Sequence, residues 1–170
     1  MTASPWAHRA PPVRDTRSGL VGRWSPGTLA ELTLSRHALG VALRGGARPA
    51  TAAEGAVQRL LLAFEELTSN ALRHGRLPVE VTVTRTGRSW LLEVSDAAGD
   101  HAPTPAADRD PALGGLGLPL VARISAAHGW TVVGGRKVVW ASLDLTRPEA
   151  SDAPRDPRPQ GRSDRRRPAR

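Results

Sequence analysis

Glu66 and Asn70 stand four residues apart in the run Glu66-Leu67-Thr68-Ser69-Asn70-Ala71-Leu72-Arg73-His74-Gly75. In a helix of 3.6 residues per turn they lie one above the other, and His74 extends the row. Leu60, Phe64, Leu67 and Ala71 form an apolar stripe on a face turned away from Glu66. An amide oxygen is a hard ligand suited to magnesium, and a free carboxylate beside it can take a proton from a nucleophile. The pair has the makings of a magnesium–phosphate site, with Asn70 as metal ligand and Glu66 as general base. Polar residues four apart also describe any solvated helix face, so the pair alone decides nothing. Asparagine is a poor helix former, however, and Asn70 is too far from either helix end to be a cap. Arg73 and His74 follow near the height of a bound phosphate. His74 equally suits a helix C-terminus, where the dipole favours a cation.

Two further signals lie downstream at fitting distances. The strand-like run Ser89–Ser95 ends on Asp96, followed by Ala97-Ala98-Gly99-Asp100. A carboxylate there is either an ordinary turn residue or a buried acceptor awaiting a donor. Gly114-Gly115-Leu116-Gly117-Leu118 then opens an apolar helical pattern. Gly115 and Gly117 let the backbone approach an anion at a helix N-terminus, where N–H groups and the dipole favour negative charge. The order and spacing of Glu66, Asn70, Asp96, Gly115, Gly117 and Leu118, closed by a final hairpin, resemble the GHKL ATPases, among them gyrase and the histidine kinases. The chain looks most like the small stand-alone serine/threonine kinases that act as anti-sigma factors in bacteria. The resemblance spans about residues 24 to 145.

It implies an α/β, two-layer sandwich of the GHKL (Bergerat) type, with three main helices on a mixed, mostly antiparallel sheet. It also implies ATP and Mg2+ as cofactors. Glu66 would activate the attacking hydroxyl or water, and Asn70 would hold magnesium on the phosphates. Asp96 would accept the exocyclic amine of adenine and so select ATP over GTP. Arg73, His74, Gly99, Gly115, Gly117 and Leu118 would complete the nucleotide site, under a lid formed by residues 97–114. Partners would be a sigma factor, a small antagonist protein, or both, with a homodimer left open. Two positions depart from the pattern. Ala98 and Asp100 stand where the resembled proteins carry glycine, with Gly99 out of register. Val138 stands where they carry threonine, which would cost one contact near the base. A non-catalytic nucleotide-dependent binding module is the alternative that these departures suggest.

The elements that must position these residues read as follows. A short first strand is expected near Gly22–Ser25 and a helix over Thr28–Leu43, stopped by Gly45-Gly46. Thr51 with Glu54 three residues on reads as a capping box for a second helix running to His74, with Gly75 as its C-cap. Val79–Thr86 alternates and turns at Gly87-Arg88 into Trp90–Ser95. Three prolines keep residues 97–114 irregular. A third helix is expected over Leu116–His128, ended by Gly129. The last hairpin joins Trp130–Val133 to Val138–Leu145 across Gly134-Gly135. Trp90, Trp130 and Trp140 are expected in the core.

Composition places the charge at the ends. The net charge is +8, yet residues 1–23 carry four Arg against one Asp, and residues 147–170 carry eight Arg against four acids. Residues 24–146 are left with a single net positive charge. The expected organisation is therefore a disordered tail over 1–22, one domain over 23–146, and a disordered Arg/Pro-rich tail over 147–170. Nucleic-acid attraction is expected only as weak contact by the tails. There is no cysteine, which excludes disulfides and thiolate metal sites. No apolar run approaches the ~20 residues of a membrane span, and no apolar leader segment opens the chain, so a cytoplasmic protein is expected. His37 lacks the acidic neighbour of a phosphoacceptor histidine, and no dimerisation hairpin accompanies it.

Overall fold

In the computed structural model, residues 6–14, 18–103 and 117–146 are described. Five strands form one sheet: β1 (Gly19–Trp24), β2 (Glu80–Thr86), β3 (Ser89–Asp96), β4 (Ala127–Val133) and β5 (Arg136–Asp144). Their order is β1-β2-β3-β5-β4, and every neighbouring pair is antiparallel. The mostly antiparallel sheet expected from the sequence is thus borne out. Among the described residues the parallel pairing is an isolated bridge of His8 to Trp130. Helices α1 (Leu29–Ala42), α2 (Glu54–His74) and α3 (Gly117–Ile124) cover one face, giving the expected α/β sandwich.

The core lies between α2 and the sheet. Leu60, Phe64 and Leu67 meet Val81, Val83, Trp90, Leu92, Val94, Val139, Ala141 and Leu143, all buried. The Val, Leu and Phe side chains among them each contribute roughly 1.5–3 kcal/mol through the water they shed. Strand residues alternate in direction, so Trp90, Leu92, Val94 and Asp96 share the helix face. Asp96 is therefore carried inward at the end of an otherwise apolar strand. Trp140 is buried as expected, but on the opposite face, where Arg9 covers it: the guanidinium lies 5.1 Å from the ring centroid and the indole N–H donates to the Arg9 carbonyl at 2.9 Å.

Several boundaries differ from the sequence reading, each for a physical reason. The strand expected at Gly22–Ser25 begins at Gly19, with a bulge between Leu20 and Gly22. The capping box expected at Thr51 and Glu54 does not form. Pro49 makes a turn whose carbonyl accepts from the Ala52 N–H, Arg48 takes the Glu54 carboxylate at 2.5 Å, and α2 starts without a side-chain cap. A reciprocal cap forms at α1 instead, where Thr28 accepts from the Glu31 N–H and Glu31 accepts from the Gly27 N–H at 2.6 Å. The third helix stops at Ile124 rather than His128. The ladder with β5 claims His128 and Gly129, which pair with Ala141 and Trp140. Gly134 and Gly135 both have positive φ, 56° and 77°, as a type I′ hairpin turn requires.

Within the segment expected to be a disordered tail, the described residues 6–14 and 18–22 take definite places. Trp6 is 3 % exposed and belongs to the core. Ala7 and Arg9 pair with Trp130 on the outer edge of β4, through bonds of 3.1 and 2.8 Å. Arg14 reaches Glu93 on the outer face of the sheet. An aromatic side chain that finds a cleft outweighs the low local hydrophobicity around it. The tail expected over 147–170 lies outside the described residues.

Candidate functional site

α2 is a long helix, 21 residues, and its C-terminal half carries Glu66, Asn70 and His74 along one row. One contact sets Glu66 of this row against another element, and three more join the ends of α2, β3 and the β4–β5 turn. Gly117, at the first turn of α3, lies over Glu66 so closely that a Cβ there would fall 2.2 Å from Oε2. Gly75, just past α2, lies against Asp96: a Cβ would meet its carboxyl carbon at 2.6 Å and the Ala71 carbonyl at the same distance. The residue does cap the helix, donating its N–H to the Ala71 carbonyl at 2.8 Å. Its φ is −91°, so crowding rather than a left-handed turn explains the glycine. Gly99 packs on the β4–β5 turn, where a Cβ would lie 2.2 Å from the Gly135 carbonyl oxygen. The Ala97 N–H donates to the Arg76 carbonyl at 2.8 Å, tying the β3 exit to the α2 exit.

These contacts join Glu66 to Gly117, Gly75 to Asp96 and Gly99 to the β4–β5 turn, and Asn70 lies on α2 between Glu66 and Gly75. Glu66 is half-buried, and burial raises its pKa above the ordinary 4.5; the Glu65 charge raises it further and the Arg73 charge lowers it. The Asn70 amide is half-buried one turn on and makes no hydrogen bond to the described residues. Arg73 and His74 are exposed. Gly115 lies outside the described residues, as do positions 104–114 of the expected lid. The Leu118 side chain is buried in the core, and its carbonyl accepts from the Trp6 indole at 3.3 Å, so its part in the site is to seat α3. A separate cavity of about 520 Å3, lined by Leu43, Arg44, Val57 and Leu61, sits at the opposite end of α2.

Asp96 is 1 % exposed. Its Oδ1 accepts from the Ala98 N–H at 2.7 Å, a contact that needs no side chain at 98, so alanine in place of glycine keeps it. Its Oδ2 lies 3.2 Å from Nζ of Lys137 but has no aligned hydrogen bond. The ion contact compensates charge while leaving acceptor capacity free. The loss of a contact expected at Val138 also needs correction. Register pairs Asp96 with Lys137, and Val138 with Ser95 on the outer face. The residue that meets Asp96 is Lys137. Sequence reading missed both Gly75 and Lys137, since each is placed by long-range register rather than by local pattern.

The arrangement fits a nucleotide. A buried acceptor awaits a donor at one end, and a bare glycine backbone at a helix N-terminus faces a carboxylate at the other. Among the described residues no group of three or more His, Cys, Asp or Glu could hold a metal ion by itself. A magnesium ion would need phosphate oxygens beside Asn70, which is how magnesium is ordinarily held. None of the curated proteins compared with the chain matches it. Residues 26–143 match the pattern of the histidine kinase-like ATPase domain, a stretch that contains the whole constellation and most of the sheet; the chain belongs to that family.

Proposed function

We propose that this domain is a Mg-ATP-dependent serine/threonine protein kinase regulating a protein partner, in the manner of the anti-sigma-factor kinases that it resembles. The observation that carries the reading is the Glu66–Gly117 contact. It sets a carboxylate of raised pKa at the N-terminus of α3, where a terminal phosphate would lie. Asn70 would offer its amide oxygen to magnesium, which when bound screens the phosphate charge. Glu66 would accept the proton of the acceptor hydroxyl. The hydroxyl oxygen would then bond to the γ-phosphorus as the bond to the β-phosphate oxygen breaks, releasing ADP. The backbone at Gly117 would stabilise the charge on the transferring group, so the rate would rest on positioning and electrostatics.

The partner on this reading is a sigma factor or a small antagonist protein whose serine receives the phosphate. Incubating the full chain with radiolabelled Mg-ATP and candidate antagonists from the same genome tests it. Label on a serine of one candidate, lost in Glu66→Ala, is the expected result. Nucleotide-dependent partner binding with no transfer to any candidate would instead favour a non-catalytic binding module. The Asp96–Lys137 pair and the departures at Ala98 and Asp100 are what keep that second reading in play.

A further inference from the structure

Of the 24 Lys and Arg residues in this chain, Lys137 is the single lysine. The fold buries it at 4 % exposure beside Asp96. A lysine normally keeps its ammonium group in water, and removing both charges from water costs several kcal/mol per ion. Packing does not require the pair. The next residues on the same face, Val94 and Val139, are apolar, and an apolar pair in this position would be at least as stable. Arg136 next to it is used differently, binding the Ser95 hydroxyl at 3.0 Å and the Pro78 carbonyl at 2.7 Å. Lys137 alone turns inward, next to an acceptor that has no aligned donor.

The chemistry that meets this pair is a heterocycle edge carrying hydrogen-bonding groups side by side. A lone carboxylate accepts from the exocyclic amine of adenine but repels the carbonyl that a 6-oxopurine presents in that place. An ammonium group beside the carboxylate removes the repulsion. Its N–H groups meet the 6-oxo oxygen, while the carboxylate takes the adjacent ring N–H. With adenine the amine goes to Asp96, and Lys137 only balances the carboxylate's charge without donating to the base. Resting on the reading of Asp96 as the base contact, we propose that Lys137 is a base-specificity residue that opens the nucleotide site to guanine and hypoxanthine as well as adenine.

Calorimetry of the full chain with Mg-ATP, Mg-GTP and Mg-ITP tests this. The wild type should bind all three within about tenfold of one another. Lys137→Met should weaken GTP and ITP by roughly 10- to 100-fold, the scale of one charged hydrogen bond, and change ATP by less than about threefold. Asp96→Ala should weaken all three. If Asp96→Ala changes none of them, the base-contact reading itself fails. If Asp96→Ala weakens ATP while the wild type already rejects GTP more than about 100-fold, only the role of Lys137 is overturned. The same follows if Lys137→Met leaves the ATP to GTP ratio unchanged. Because Lys137→Met strands a buried carboxylate, a second measurement uses the wild type alone. Amine acylation read by peptide mass reports one lysine, and saturating GTP and ATP should each slow it severalfold. Protection by ATP without protection by GTP would overturn the proposal.

Discussion

Glu66 carries two opposed demands, and pH separates them. Its raised pKa means the folded chain holds the protonated form more readily than the unfolded chain does. The stability so gained is present below 4.5 and is lost as pH rises through the higher folded value. Glu66→Gln should therefore raise the melting temperature at pH 7, with a smaller gain near pH 4, as a thermal melt at the two values would show. Activity runs the other way, since a general base must be ionised. Transfer should climb with pH along a limb set above the ordinary carboxylate range. Glu65→Gln removes a raising charge and should move that limb down; Arg73→Met removes a lowering one and should move it up. Binding and chemistry should also come apart. Glu66→Ala should keep nucleotide affinity while transfer falls ~10²-fold or more, and Asn70→Ala should lose both. Glu66, Asn70 and Asp96 were picked out by local pattern, two by their spacing on one helix and one by its place at a strand end, and the roles given to them are what these variants test. Gly75 and Lys137 were not picked out, because each acquires its meaning only when α2, β3 and β5 are brought into register.

Among the elements, those with strong internal period were readable and those shaped by partners were not. α2 shows helical spacing through its whole length and was placed correctly to its last residue, His74. The β2–β3 hairpin was found to within a residue at each end, from alternation and the glycine at its turn, where Gly87 has φ 43°. The α3–β4 junction was misplaced because Ala126–Gly129 has no pattern that opposes a helix. Its fate is set by carbonyls on β5, one of which, on Ser142, takes the Ala126 N–H at 2.8 Å. The segment before β1 was misread for the same kind of reason. Trp6 is a single aromatic among Pro, Ala and Arg, and its site exists only once α3 and His128 are in place, 4.8 Å away in the case of the imidazole. Trp6→Ala should cost about 3–5 kcal/mol of stability, the usual range for emptying a buried Trp position, measurable by urea unfolding. A shortened chain beginning at residue 22 should unfold at lower denaturant than the full chain, contrary to what composition suggests. Since the Trp6 indole holds the Leu118 carbonyl, that shortened chain should also bind nucleotide more weakly.

At the scale of the whole molecule, net charge is unevenly distributed along the chain. Residues 147–170 hold four of the eight net positive charges. Removing them should leave melting temperature and nucleotide affinity unchanged. Any duplex-DNA binding by the full chain should disappear with them, and should fade between low and physiological salt. Tight, salt-resistant binding to DNA would contradict this. Composition makes the charge clustering visible, because counting charges needs no knowledge of contacts. How the two borders of the sheet differ was hidden. The chain's early residues occupy the backbone groups of Trp130 in the middle of β4, so that border is blocked at its centre. Among the described residues β1 is the border with no neighbour beyond it, and it exposes Leu20 at 64 %. A strand added at β1 would meet open backbone groups at once, whereas one added at β4 would first have to displace Ala7 and Arg9 from Trp130, so the two borders differ in what an incoming strand must break.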